Sequence, residues 1–317
     1  MRRRLFDGPD QGLGEALHLI EGVQGHNRDR GCCSLMVALE VALTVMGQPR
    51  SYPRLMGQSG AGFMLKVGPE FDTGSAQQGR EAHVVEALAE LGITARLLVA
   101  PEPGTVLQES REHAQANRPL LALGWGSNPL EWAVVAGFQG EDLLGHPFGG
   151  TGRPQRQGPV VSKLLILDGT TEPLSDHAAI GEALTRAVAL LQANQSQYAT
   201  WLSLLEADEP YGSPLTRLEL FSREQWLSAC LVDARDAAAR FLAERAEEAD
   251  DELLAQAANT AARLAEQAEK LLVPPDAVQR AHLPEDLDWR QQRLAILKTM
   301  RDSERDLQDQ LRGVFSA

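Results

Sequence analysis

The chain has 317 residues, 43% of them hydrophobic and 23% charged, which suits one large or two ordinary globular domains and excludes a disordered or low-complexity protein. Its 30 Lys and Arg against 44 Asp and Glu give a net charge of −14, a field that repels nucleic acid, and 5% aromatics supply little for base stacking. The surplus is uneven: residues 1–168 hold 15 basic and 18 acidic side chains and 24 of the 28 glycines, while residues 169–317 hold 15 basic and 26 acidic ones. A turn-rich mixed domain over 1–170 followed by an acidic, alanine-rich helical domain over 171–317 is therefore expected.

In chain order, Met1-Arg2-Arg3-Arg4 has the charge of a signal-peptide start, but Asp7-Gly8-Pro9-Asp10 follows where an apolar segment should stand. Cys33 to Met46 is apolar nearly all round and stops at Gly47-Gln48-Pro49, which predicts a helix at the centre of a core. Cys33, Glu40 and Thr44 share one stripe of it. A short helix begins at Ser51-Tyr52-Pro53, Gly57 to Gly62 reads as a loop, Phe63 to Val67 as a strand, and Gln78 to Glu90 as a second helix. Strand signals follow at 93–99, 120–123, 132–138 and 163–167, with Gln139-Gly140 turning a hairpin into Leu143-Leu144. Helices before a strand cluster point to α+β. Beyond Pro173 the pattern is helical. Ser222 with Gln225 reads as a capping box, and apolar stripes run through Trp226, Cys230, Ala234, Ala237 and Phe241, through 254–272, and through 297–314. Pro274, Pro275 and Pro284 separate the last helices, and the helical part shows little sign of an aromatic core of its own.

Three cysteines, two of them adjacent, make neither a disulfide framework nor a metal-site spacing, which fits a reducing cytoplasm without cofactor or metal. No apolar run is long enough to span a bilayer. Cys32 and Cys33 nonetheless stand at a helix start, where the macrodipole and unpaired N–H groups favour thiolate, the placement a cysteine nucleophile needs. The plain alternative is two small side chains opening a core helix. Cys230 reads as inert core and His83 as surface or packing; His18, His26, His113, His177 and His282 have no partner at ligand spacing.

The run Arg118-Pro119-Leu120 to Trp125, then Glu131-Trp132-Ala133-Val134-Val135-Ala136-Gly137-Phe138, then Leu143-Leu144-Gly145-His146-Pro147, resembles the strand pair of papain-like cysteine peptidases, in particular the bacteriocin-processing branch. The loop Tyr52 to Phe63 and the tail with Tyr198-Ala199-Thr200-Trp201 resemble the bacterial family that includes the N-terminal domain of butirosin biosynthesis protein H. That resemblance implies a papain-like domain with a buried cysteine helix and an antiparallel sheet, and acyl transfer from a carrier protein to an amine as one outcome. Counted along the motif, the family's catalytic histidine falls on Glu131 and its orienting Asp or Asn on His146. A carboxylate, with a pKa about two units below imidazole, is a poor relay. Two readings follow. In the first, Cys33 is the nucleophile (Cys32 the alternative), His146 the base and Glu131 its orienter, in thiol-dependent acyl transfer or amide hydrolysis. Gln24 and Asn27 are the oxyanion candidates, and Gln58, Ser59, Trp125 and Trp132 line the cleft. In the second, the scaffold has lost that chemistry and its cleft binds a peptide or small metabolite. Neither nucleic acid nor membrane is an expected partner.

Overall fold

The structure, a computed structural model, describes residues 17–26, 28–72, 81, 83–150, 152–207, 217–273 and 287–314. The Met1–Asp10 start, Asn27, His282 and the prolines at 274, 275 and 284 lie outside the described residues. Among the described residues the chain is mixed α+β, with seven strands in one antiparallel sheet, eight α-helices and a helical C-terminal region. In order they are β1 (Leu17–Leu19), α1 (Ser34–Val45), α2 (Tyr52–Gln58), α3 (Val84–Glu90), β2 (Ile93–Val99), α4 (Pro103–Gln115), β3 (Leu120–Leu123), β4 (Trp132–Gln139), β5 (Asp142–His146), β6 (Gln155–Gln157) and β7 (Lys163–Thr170). Four helices follow: α5 (Asp176–Glu206), α6 (Arg217–Ala249), α7 (Glu252–Glu269) and α8 (Leu287–Val314). No helix among the described residues is long and apolar enough to cross a membrane.

The sheet runs β2-β7-β3-β4-β5-β6, with β1 against the far half of β4. Strand alternation separates two cores. Ala133, Val135, Leu164 and Ile166 face Val106 of α4, while Trp132, Val134, Leu165 and Leu167 face α1 and α3. Helix α1 carries apolar side chains round most of its circumference because it lies between the sheet and the helical layer, where Ala234 and Ala237 of α6 close its other side. Small alanines there let two helices approach closely.

Several expected elements take another form. Phe63 to Val67 forms no strand: its backbone pairs with side-chain amides of α5 instead of a neighbouring strand. The Leu65 and Val67 N–H groups donate to Asn194 Oδ1 (2.9 Å) and Gln197 Oε1 (2.8 Å), and Asn194 Nδ2 donates to the Phe63 carbonyl (2.8 Å). The stretch read as a Gly57–Gly62 loop is helical at both ends, since α2 runs through Gln58 and a 3-10 turn covers Ala61–Phe63. The Ser222–Gln225 capping box lies inside α6, which begins five residues earlier at Arg217. Gln225 instead receives the Val273 N–H (2.8 Å) and donates to the Leu271 carbonyl (3.3 Å). The helical region also has the aromatic core that its sequence conceals: Tyr198, Trp201 and Phe241 are buried in it, joined by Phe63 and Phe71 from the N-terminal half, while the buried Phe221 packs beside the Trp289 ring.

Candidate functional site

Cys33 caps the N-terminus of α1 with extended backbone (φ −84°, ψ 94°), so its carbonyl takes the first helical bond while its N–H remains outside the helix. That N–H donates to Tyr52 Oη (3.2 Å), and the Tyr52 hydroxyl donates to Asp233 Oδ2 of α6 (2.5 Å). Burial first, then the nearby Cys33 and Asp233 charges, push the Tyr52 phenol well above its usual range and keep it a donor. Gly31 is needed here because a Cβ on it would stand 2.3 Å from Tyr52 Cζ. Glu40, on the Cys33 stripe, accepts the Tyr52 N–H (3.1 Å) and so fixes the start of α2.

The cysteines share one small pocket lined by Cys32, Cys33, Ser34, Leu35, Glu81, Trp132 and Cys230, with a free volume of about 10 Å³. That is barely room for a single water. Cys230, read from its stripe as core, is buried and thus a pocket wall as well. Glu81 is ion-paired to Lys163 at the pocket's edge. Cys33 is buried; Cys32 is partly exposed, its thiol 3.9 Å from the Ala229 carbonyl.

Trp132 opens β4 beside the cysteine helix. The β4–β5 ladder ends at Val134 opposite His146, so the Trp132 peptide groups must find partners elsewhere. Its N–H donates to Ser34 Oγ (3.1 Å), and its carbonyl accepts from His26 Nε2 (3.3 Å). This geometry requires His26 to be the Nε2–H tautomer. Desolvation is the main cause lowering its pKa to about 4, against the raising effect of the Trp132 bond and with help from His146 and Arg30. His146 is also buried and its pKa is lowered by desolvation. Nδ1 of both rings is buried without a hydrogen-bond partner among the described residues.

The structure thus brings Cys32, Cys33 and Trp132 together and adds Ser34, Cys230 and His26. His146 Nδ1 has no hydrogen-bond partner among the described residues, and neither His146 nor Glu131 lines the cysteine pocket. Glu131 precedes β4, its carbonyl taking the Gly124 N–H (3.4 Å), and is half-buried. No family model matches the chain, and no curated protein matches it. Gln24 is exposed and outside the pocket. Gln58, Ser59 and Trp125, expected in the cleft, are buried in packing. Gln58 Nε2 donates to Glu90 and to the Ala179 carbonyl, both at 2.8 Å, which docks α2 on α5. Ser59 Oγ turns back on the Leu55 carbonyl (2.7 Å), and Trp125 belongs to the core under α4. Among the described residues no three His, Cys, Asp or Glu side chains are grouped to hold a metal ion.

His26 escapes a sequence reading because its partners, Trp132 and His146, lie more than a hundred residues away. The only signal was an imidazole close before the cysteine helix.

Proposed function

We propose that this chain is a papain-like scaffold that acts by binding a peptide or small metabolite rather than by thiol catalysis. One observation carries the reading: Cys33 is buried beside a pocket of about 10 Å³, and among the described residues no imidazole is hydrogen-bonded to it. Nucleophilic catalysis needs a base within reach of the thiol and space for an acyl group beside it. The Cys33 N–H, the natural donor to an oxyanion formed at this sulfur, is already held by Tyr52. The Asp233–Tyr52–Cys33 chain instead makes the helix start an anchor for α6.

Alkylation of the folded protein with iodoacetamide at neutral pH, followed by peptide mass analysis, tests this. Cys33 should stay unmodified until the protein is unfolded, with Cys32 the first to react because it is partly exposed. Fast, selective modification of Cys33 that is lost in His146→Ala would establish the enzymatic reading in its place.

A further inference from the structure

A cleft of about 780 Å³ opens where α2, α3, α5 and α6 meet, and it shares no lining residue with the cysteine pocket. Its volume is that of a small-molecule site. Arg54, on the first turn of α2, and Arg245, near the end of α6, stand in its wall. Arg245 is only 1% exposed, and the Nε–H groups of both arginines are buried without a hydrogen-bond partner among the described residues. Burial and, next, the Arg54 charge lower the Arg245 pKa, against the opposite pull of Glu248 and Glu244. Two guanidinium groups that repel each other and keep unused donors make a seat for an oxyanion.

Glu248 fills part of that seat at present. It pairs with both terminal nitrogens of Arg245 and lies 3.7 Å from Arg54 Nη1. It is also on the last turn of α6 with a side chain 52% exposed, so it can turn out to solvent once another carboxylate takes its place on Arg245. Asp176, 3.8 Å from Arg54, is 85% exposed. The other carboxylates decide the ligand's charge. Glu90 is occupied by Arg186 and Gln58, whereas Glu172 and Glu244 add negative charge to the lining beyond the arginines. A polyanion is repelled by them; an ammonium group is attracted.

We propose that this cleft binds a small zwitterion, an amino acid or short peptide, whose carboxylate displaces Glu248 from Arg54 and Arg245 while its ammonium group faces the acidic lining. The inference goes beyond the binding role proposed above and holds whether or not Cys33 is reactive.

Calorimetric titration of the full chain with the dipeptide Ala-Ala, its C-terminal amide and inorganic phosphate tests it. Ala-Ala should bind saturably, and the amide, which lacks the carboxylate, at least about tenfold more weakly. Glu248→Gln removes the internal competitor from an exposed position and should tighten Ala-Ala binding severalfold, while Arg54→Gln should weaken it about tenfold. Equal binding of Ala-Ala and its amide, tighter binding of phosphate, or no saturable binding even in Glu248→Gln would overturn the proposal. Glu248→Gln keeps the test decisive if Arg54→Gln does not fold.

Discussion

His26 shows how much one side chain can depend on folding. Its Nε2–H supports the Trp132 carbonyl, and burial lowers its pKa from 6.5 to about 4. Between those values the unfolded chain binds a proton that the folded chain refuses. The stability tied to neutral His26 is therefore complete above about pH 6.5 and is lost as the pH falls towards 4. His26→Gln keeps an amide donor for the carbonyl and removes the titration. Urea denaturation at pH 7.5 and 5 should show the wild type losing about 2 kcal/mol more than the variant between the two pH values. Equal losses would mean that His26 is already protonated, or is accessible, in the folded protein. Glu131 offers a contrasting case. Being outside the cysteine pocket, it should leave Cys33 alkylation unchanged when replaced by Gln, and a clear change in rate would place its carboxylate beside the thiol after all. Motif counting could single out Glu131 and His146 as residues of interest. It could not say whether they meet Cys33, because side-chain reach is decided by where β5 stops pairing with β4 and by what fills the gap.

At the scale of elements, the helical region is held by ion pairs at depth. Glu304 of α8 accepts from Arg235 Nε (2.8 Å) on α6, and from Tyr198 Oη (2.8 Å) and Asn194 Nδ2 (2.7 Å) on α5. Arg235 also donates to the Gly62 carbonyl (2.7 Å), so one cluster ties three helices to the segment that follows α2. Both charged side chains are fully buried, and the pair is tolerable only because its remaining donors and acceptors are satisfied. Glu304→Leu strands Arg235 without a counter-charge and should destabilise the protein by about 3–5 kcal/mol; adding Arg235→Met should restore part of that loss. Equilibrium denaturation of the two variants gives the comparison, and a single substitution costing under about 1 kcal/mol would show that the pair is not buried in solution. The close approach of α2 to α6 makes a similar demand. A Cβ at Gly57 would lie 2.0 Å from the Phe241 ring, so Gly57→Ala should lower the melting temperature although alanine favours a helix. The elements themselves were mostly legible, because alternation and helical stripes record which face is buried: the strands at 93–99 and 120–123 stand where the pattern puts them, the strand expected at 163–167 runs on to Thr170, and the stripe of α7 is buried from Leu254 to Ala268 but not at Leu272, which lies exposed beyond the helix. The exceptions have physical reasons. Helix α4 buries only Val106, Ser110, His113 and Ala114, too weak a stripe to announce itself. The extended stretch 63–67 carries a strand's composition and lacks a strand partner.

For the whole molecule, the division of charge and glycine near residue 169 marks a change of composition more sharply than a boundary between independent cores. The helical core takes Phe63, Leu65, Val67 and Phe71 from the N-terminal half, and the core around α1 takes Ala234 and Ala237 from α6. Hydrogen bonds cross as well, from Tyr52 to Asp233, from Gln58 to the Ala179 carbonyl and from Arg235 to the Gly62 carbonyl. Removing residues 175–317 would expose four large apolar side chains, strip α1 of its outer cover and leave the Tyr52 hydroxyl and the amides of residues 65 and 67 without partners. Each lost buried partner costs about 1–3 kcal/mol, and each exposed large apolar side chain forfeits a contribution of similar size, so their sum is comparable to the whole stability of an ordinary domain. The 1–174 fragment should accordingly fail to give a cooperative thermal transition and should aggregate at concentrations where the full chain stays dispersed. Circular dichroism melting and light scattering on the two proteins decide the matter. A monomeric fragment melting like the full chain would mean that the contacts through Phe63, Phe71, Ala234 and Ala237 contribute little, and that the N-terminal half owes its stability to the sheet and α1 alone.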